Sequence, residues 1–487
     1  AMVHFQEASH TRSGVSRRAR ATCGPVLYAL LCARGHAALQ PLQLLRQLQA
    51  AHGAQIAPAS YADGLDTAPA ALRFAPADTA DMLPQLERAL GSGAVILDRS
   101  HWRVIRLSGV DRLRFLHSQT TNSFVGAPAG AVLDACVLDS QGRTVDLLTA
   151  VDVQSVDELV LLASPNRGKR VAAALEKVIF PLDKVRCALE PEGASAVFEL
   201  LGARAAEATA AALGLSVDAL PATDRCVVVG EILVLGSTSL SRVHGRGCIL
   251  LAPAARAADL WTSLAGTGGV NSPMLGGEAE WQALRVACGR PFPDAELTRE
   301  INPLEAGLYH TISFSKGCYL GQETVAKVNG APAPKQRLLG VRLDGPALPG
   351  TALFADDDGG ARAGVVTSML SCGTGLVMIR SAVGTAGLRV RSAPDELGVV
   401  RRGTALEVPF ASRSEAQSAG PREQVGVVAG GGTPAPSAVD AKALAAAADA
   451  AAAEGVRKAA KLVEMQARFE AFKAKTAKAG GGPPPAG

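Results

Sequence analysis

Positions 313 to 328 read Ser-Phe-Ser-Lys-Gly-Cys-Tyr-Leu-Gly-Gln-Glu-Thr-Val-Ala-Lys-Val, and the residues best suited to chemistry are Lys316 to Glu323. Glycines bracket Cys318, so the backbone there can turn tightly and let a partner come close. From Gln322 onward the residue types suit a helix, which places Cys318 just ahead of a helix N-terminus. Such a terminus favours negative charge, and Lys316 adds a cation two residues away. Both effects lower a thiol pKa and raise the thiolate fraction that a nucleophile or metal ligand needs. The residue types also allow a plainer reading, in which Cys318 is structural and Gln322 and Glu323 cap the helix.

Elements able to hold this segment are legible upstream. A short helix is predicted over 79–90 and a strand over 94–97. Residues 101–107, HWRVIRL, alternate apolar and polar as a half-buried strand does. Asp111 is a suitable cap for a helix with Leu113, Phe115 and Leu116 on its apolar side. Strands are predicted over 132–138 and 144–150, joined by a hairpin turn at Asp139-Ser140-Gln141-Gly142, then a strand over 158–163 and a helix over 167–178. The alternation is mixed rather than regularly βαβ, so an α+β class follows. From Gln336 to about Val408 short strands punctuated by glycine predict a separate small barrel or sandwich.

Composition removes several classes of function. A formal charge of +4 over 487 residues lacks the concentrated basic face of a nucleic-acid binder. The nine cysteines (Cys23, Cys32, Cys136, Cys187, Cys226, Cys248, Cys288, Cys318 and Cys372) include no C-x-x-C pair, which fits neither a disulfide framework nor a zinc ribbon. No apolar run reaches the roughly 18–20 residues a membrane span needs. Nucleic acid and membrane are therefore not expected partners. Residues 1–60 hold six arginines against one acid, Glu7, the composition of an organellar transit segment. The leucines of 39–48 also fit a surface helix. Residues 411–439 are rich in Ser, Gly, Pro and Ala, as a linker is. Residues 440–479 are dominated by helix formers, with Leu462, Met465, Phe469 and Phe472 on one stripe.

The string Lys316-Gly317-Cys318-Tyr319-Leu320-Gly321-Gln322-Glu323 resembles the K-G-C-Y-x-G-Q-E signature of the YgfZ family, folate-binding proteins related to the glycine-cleavage T-protein. The flanks agree. Leu284 to Pro291 is similar to the family's R-x-x-x-G-x-P turn, Asn302 to Leu308 to its P-x-E-A-G-L approach, and Gly109 to Asn122 to its early G-x-D-x-x-x-F-L-x-x-Q-x-T-N helix. The resemblance covers roughly residues 80–410.

What it implies is a cloverleaf of mixed α/β subdomains around a central folate site, with a C-terminal β-barrel. It also implies tetrahydrofolate or a derivative as cofactor and a role in assembly or repair of iron–sulfur proteins. Partners would be assembly proteins or client apoproteins. Cys318 would be the key thiol with Lys316 beside it, and Gly317, Tyr319, Gly321, Gln322 and Glu323 would complete the motif. Arg285 resembles an arginine that lies near folate in the T-protein relatives, and its fork suits the carboxylates of a glutamate tail. The expected organisation is a transit or variable segment over 1–78 and a folate-binding region over 79–334. A barrel over 335–410, a linker over 411–439, a helix over 440–479 and a tail over 480–487 would follow.

Ser123 stands where relatives often carry an acid, and the T-protein's acidic glycine-rich segment is not evident around Arg242 to Leu251. Loss of those carboxylates argues against aminomethyl transfer, which needs an acid to handle the amine proton. That transfer stays as an alternative, as does a non-catalytic folate-binding scaffold. Whether turnover occurs is open. Within the family, Thr324 to Val328 and Lys335 to Leu338 look most like plant and algal organellar members, which points to the chloroplast stroma, with the mitochondrial matrix as the alternative.

Overall fold

The computed structural model describes residues 41–409 apart from 62–65, 75–81, 237–239, 241–246 and 267–271. Its first elements are helix α1 (Pro41–Ala51) and a hairpin of β1 (Gln55–Ser60) and β2 (Asp66–Arg73). The helix falls on the leucines of 39–48, where a surface helix was the alternative to a transit segment. Leu45 and Leu48 of α1 are buried in one core cluster with Phe198 and Trp261, and Arg46 pairs with the buried carboxylate of Asp98. The leucine spacing is that of an amphipathic helix, and burial of its stripe makes α1 part of the body. The transit composition itself falls mostly on residues 1–40, outside the described residues, as do the linker, helix and tail expected after 410.

Next come α2 (Met82–Ser92), β3 (Val95–Asp98), β4 (Arg103–Ser108), α3 (Arg112–Gln119), β5 (Val132–Leu138), β6 (Thr144–Val153), β7 (Glu158–Ala163), α4 (Gly168–Lys177) and β8 (Arg186–Leu189). They are followed by β9 (Ser195–Leu201), α5 (Ala205–Leu213), β10 (Cys226–Val229), β11 (Ile232–Leu235), β12 (Cys248–Pro253), α6 (Ala257–Ala265), β13 (Met274–Gly276) and α7 (Glu278–Cys288). A long connection leads to α8 (Gln322–Gly330). The last strands are β14 (Gln336–Leu343), β15 (Ala352–Ala355), β16 (Arg362–Met369), β17 (Thr374–Arg380), β18 (Arg389–Ser392) and β19 (Arg402–Leu406).

Three lobes result. One sheet runs β5-β6-β7-β4-β8 and is antiparallel throughout; a second runs β10-β11-β12-β9-β3-β13, antiparallel apart from the β13–β3 pair. The third lobe is the expected barrel, closed in the order β14-β17-β16-β15-β18-β19 around Leu339, Val341, Val377 and Ile379. The first sheet is buried on both faces, which explains its near-continuous apolar strands. Ile105, Leu107 and Leu161 meet Phe115 and Leu116 of α3 and Val171 of α4 on one face. Val151, Val160 and Leu162 meet Val197, Leu233 and Leu251 of the second sheet on the other.

The lobes share a central core. Trp281 and Leu284 of α7, Trp102, Phe292, Leu338 of β14 and Met378 of β17 belong to one cluster, which also reaches Val325 of α8. Asp111 precedes α3 as expected but makes no capping bond; its carboxylate accepts from the Lys184 amide at 3.0 Å and ties α3 to the strand entering β8.

Candidate functional site

Helix α8 begins at Gln322, where the residue types place a helix start, and its N-cap is Gly321 in a left-handed turn at φ +82°. That turn rests on the β5–β6 hairpin. A Cβ on Gly321 would lie 2.8 Å from Gly142 Cα, and one on Gly142 would lie 2.6 Å from the Thr324 side chain. Glycine at both positions lets two backbones meet, so the motif's second glycine is a docking residue. Gly142→Ala should cost about 1–3 kcal/mol in urea denaturation. Gly126→Ala is the control, because Gly126 shares a positive φ of +81° but has open space around it. Equal losses for the two variants would show that the hairpin contact contributes nothing.

Lys316 reaches back to the end of α3. Its Nζ donates to the carbonyl oxygens of Thr120 at 2.7 Å and Asn122 at 2.6 Å, and to that of His117. The last carbonyls of a helix lack intrahelical partners and favour a cation, so Lys316 caps α3 from a distant part of the chain. Burial pushes the Lys316 pKa down to about 7, while three carbonyl acceptors matched to three N–H donors support the ammonium form. His117 accepts from the Phe124 and Val125 amides on Nδ1, at 3.3 Å each, which leaves the proton on Nε2. Burial and the Lys316 charge both lower its pKa.

The motif therefore has an inward and an outward side. Tyr319 turns in, with its ring 4.9 Å from Lys316 Nζ, and burial together with Cys136 pushes its phenol up to about 12. Its amide donates to Gln322 Oε1 at 3.1 Å. Cys318 and Glu323 are exposed. Gly317 has open space around it.

Arg285 lies elsewhere. It is buried on α7, its Nη1 is 3.1 Å from Glu296 and its Nη2 donates to the Ser368 hydroxyl of β16 at 3.0 Å. Ser368 in turn donates to Glu296 at 2.6 Å. The carboxylate this arginine pairs with is the chain's own Glu296, and the triad fastens α7 to the barrel.

Sequence reading missed a second constellation, at the junction of the lobes. Trp102 and Trp281 meet edge-on, with centroids 5.0 Å apart, and Phe292 packs edge-on against both. Arg99 lies 3.8 Å above the Trp102 ring, and Arg290 lies 5.5 and 5.4 Å from the two indoles. Both arginines are buried, where a cation over an aromatic face is well compensated. Arg99 pairs with Glu199, which is wholly buried in the apolar run of β9. Burial pushes Arg290 down to about 10, opposed by Asp134, Asp146 and Glu199.

Asp146 accepts from the Leu147 amide at 2.9 Å and from the Ser164 hydroxyl and amide at 2.7 and 2.9 Å. Burial nevertheless raises its pKa to about 6. Four polar atoms of this centre are buried without a hydrogen-bond partner: Trp102 Nε1, Trp281 Nε1, Arg99 Nε and Glu199 Oε1. A legible signal existed. Two of only three tryptophans stand beside charges here, and Asp134, Asp146 and Glu199 each interrupt an apolar strand.

The nearby thiols of Cys136 and Cys288 are pushed up to about 12 by burial, so neither supplies a thiolate at neutral pH. Cys318 is the one described cysteine classed as exposed.

A three-lobed mixed α/β body closed by a barrel is the architecture of the glycine-cleavage T-protein class. The aminomethyltransferase T of the glycine cleavage system from Bartonella henselae shares this fold, with a TM-score of 0.63 at 19% identity over 75% of this chain and 97% of that one. Residues 52–316 match the family model described as the GCVT N-terminal domain. The chain belongs to this family, and within it to the YgfZ type. It is 32% identical to At1g60990, a chloroplastic Arabidopsis thaliana protein with a provisional transferase name, over 68% of this chain and 74% of that one. It is 23% identical to the tRNA-modifying protein YgfZ of Yersinia pseudotuberculosis, over 64% of this chain and 91% of that one.

Proposed function

We propose that the protein binds tetrahydrofolate or a derivative at the Trp102–Trp281 centre and supports assembly or repair of iron–sulfur proteins through Cys318, in the chloroplast. The carrying observation is the set of buried polar atoms without partners, since such groups in a folded protein call for a ligand, ion or water. A pterin offers ring acceptors and amino and amide donors along a flat edge. Three orphan donors (Trp102 Nε1, Trp281 Nε1 and Arg99 Nε) and one orphan acceptor (Glu199 Oε1) match that mixture, so the residues fit the cofactor. Bound tetrahydrofolate supplies a carrier for one-carbon units. The chain's part is to orient it, to exclude water and to keep Asp146 able to hold or release a proton near neutrality.

Cys318 is the thiol open to a partner. One thiolate cannot hold a [4Fe–4S] cluster, which takes about four, so an iron–sulfur species would be cargo shared with a client. The chloroplast is favoured by the compartment of the Arabidopsis relative. A second reading, aminomethyl transfer, gains from Asp146: the acid that seemed lost around residues 242–251 has a buried counterpart with a raised pKa. The scaffold reading rests on 440–479, outside the described residues.

Titration with tetrahydrofolate, followed by tryptophan fluorescence, tests the site. Trp102→Phe and Trp281→Phe should each weaken binding by at least tenfold, a loss of about 1.4 kcal/mol, whereas Trp261→Phe, in a different core cluster, should not. Equal affinities across the three variants would remove the centre from the proposal. Cys318→Ser should bind folate normally and fail to restore aconitase-type and ferredoxin-type activities in a depletion strain. Full restoration would exclude the thiol role.

A further inference from the structure

Strand twist lets two packed sheets meet closely in the middle and diverge at their corners. Here the divergence leaves a cleft of about 480 Å³ between the two sheets, on the side away from α3 and α4. That volume lies within the usual range for small-molecule sites, about 300–1,000 Å³. Val153 of β6, Val160 of β7, Leu233 of β11 and Leu251 of β12 line it as a continuation of the inter-sheet core. At its mouth Val156 and Val228 remain 58% and 43% exposed.

The charged residues lining the cleft are Arg106, Glu190 and Glu231. Arg106 is already committed: its Nε donates to Glu190 at 2.6 Å and its Nη1 to Glu158 at 2.9 Å. Glu190 also accepts from the Ser195 hydroxyl at 2.7 Å, so this corner is held in place before any ligand arrives. Glu231 is exposed and makes no ion pair among the described residues. Two carboxylates thus stand against one guanidinium among the residues lining the apolar cleft, and Glu231 is the one that no cation holds among the described residues.

We propose that this cleft binds an organic cation: an apolar body of one- or two-ring size carrying a single ammonium group. The apolar body takes the valine and leucine walls, and the ammonium takes the unpaired carboxylate of Glu231. An apolar cleft rimmed by negative charge discriminates by sign, since an anion of the same shape meets repulsion where the cation meets attraction. The site is separate from the Trp102–Trp281 centre and independent of the folate reading.

The test uses the full chain and ligand-observed NMR with two isosteric probes, 2-naphthylmethylamine and 2-naphthoate. The amine is expected to bind and the carboxylate not. Glu231→Gln should weaken the amine about fivefold, the effect of one charge pair at contact distance in water. Val228→Trp, at an exposed position, should close the mouth and abolish binding. Tetrahydrofolate titrations should be unchanged in both variants, which separates this site from the folate centre. Equal binding of the two probes, no binding of the amine, or amine binding indifferent to both substitutions would each overturn the proposal.

Discussion

Lys316→Met should destabilise the protein by about 2 kcal/mol and loosen the motif, because three carbonyl oxygens lose a charge-assisted donor together. The methionine chain keeps the apolar stem and the contact with Tyr319 but supplies no N–H. The carbonyls of His117, Thr120 and Asn122, which the ammonium now gathers, would be left to water or to nothing. Hydrogen exchange should accelerate in residues 117–125 and 313–325 together, since Lys316 is the joint between them. Lys316→Arg should rescue little: a planar fork cannot place donors at three carbonyls that surround a single point. Unchanged exchange in both segments would refute the clamp. Folate affinity serves as the discriminating readout, because Lys316 supplies none of the partnerless polar atoms of the Trp102–Trp281 centre and its loss should alter affinity much less than Trp281→Phe does.

The clamp also shows what the sequence could and could not disclose. Local signals were strong. The glycine before Gln322 and the helix formers after it mark the start of α8, and strands β5 and β7 occupy the residues their patterns predict. Lys316 was read in its local context, two residues from Cys318, because spacing along the chain is what a sequence displays. Its partners lie 194 to 199 residues away, and nothing local to Lys316 announces them. Of the Arg285 partners, Glu296 is only 11 residues along the chain, whereas Ser368 is 83 residues away and meets the guanidinium only where the barrel packs on α7.

The central constellation is legible in a different way. A lone acid in an apolar strand, such as Asp146 in TVDLLTA or Glu199 in VFELL, is costly unless it is partnered, so each marks either a buried network or a site. Read as strands, these segments looked like ordinary core. The motif drew attention to Cys318, whereas the partnerless polar atoms that call for a ligand lie among Arg99, Trp102, Glu199 and Trp281. α1 was underread because its leucine stripe lies next to an arginine-rich leader composition. Arg46 belongs to the packed body through Asp98 rather than to that composition.

Asp146 should give the protein a pH dependence opposite to that of most native carboxylates. Its folded pKa is raised to about 6 from an ordinary 3.8, so between those values the native state holds a proton that the unfolded chain has released. The stabilisation is fully present below the unfolded value and is lost as pH rises through about 6; a difference of this size corresponds to about 3 kcal/mol. Salt-bridged acids such as Asp98, whose pKa is lowered, push the other way. The measurement is therefore a difference curve: urea stability of Asp146→Asn subtracted from that of the wild type, at intervals from pH 4 to 7. The curve should fall with rising pH and level off above about 6. The asparagine amide faces the Ser164 N–H that the carboxylate now accepts, so the variant should carry a constant penalty that shifts the curve without changing its slope. A flat difference curve would mean that Asp146 is ionised throughout this range. If the centre binds folate, the same proton should appear in tetrahydrofolate affinity, with a midpoint near 6 in the wild type and none in the variant. A pH-dependent affinity that survives Asp146→Asn would assign the proton to the ligand or to another group.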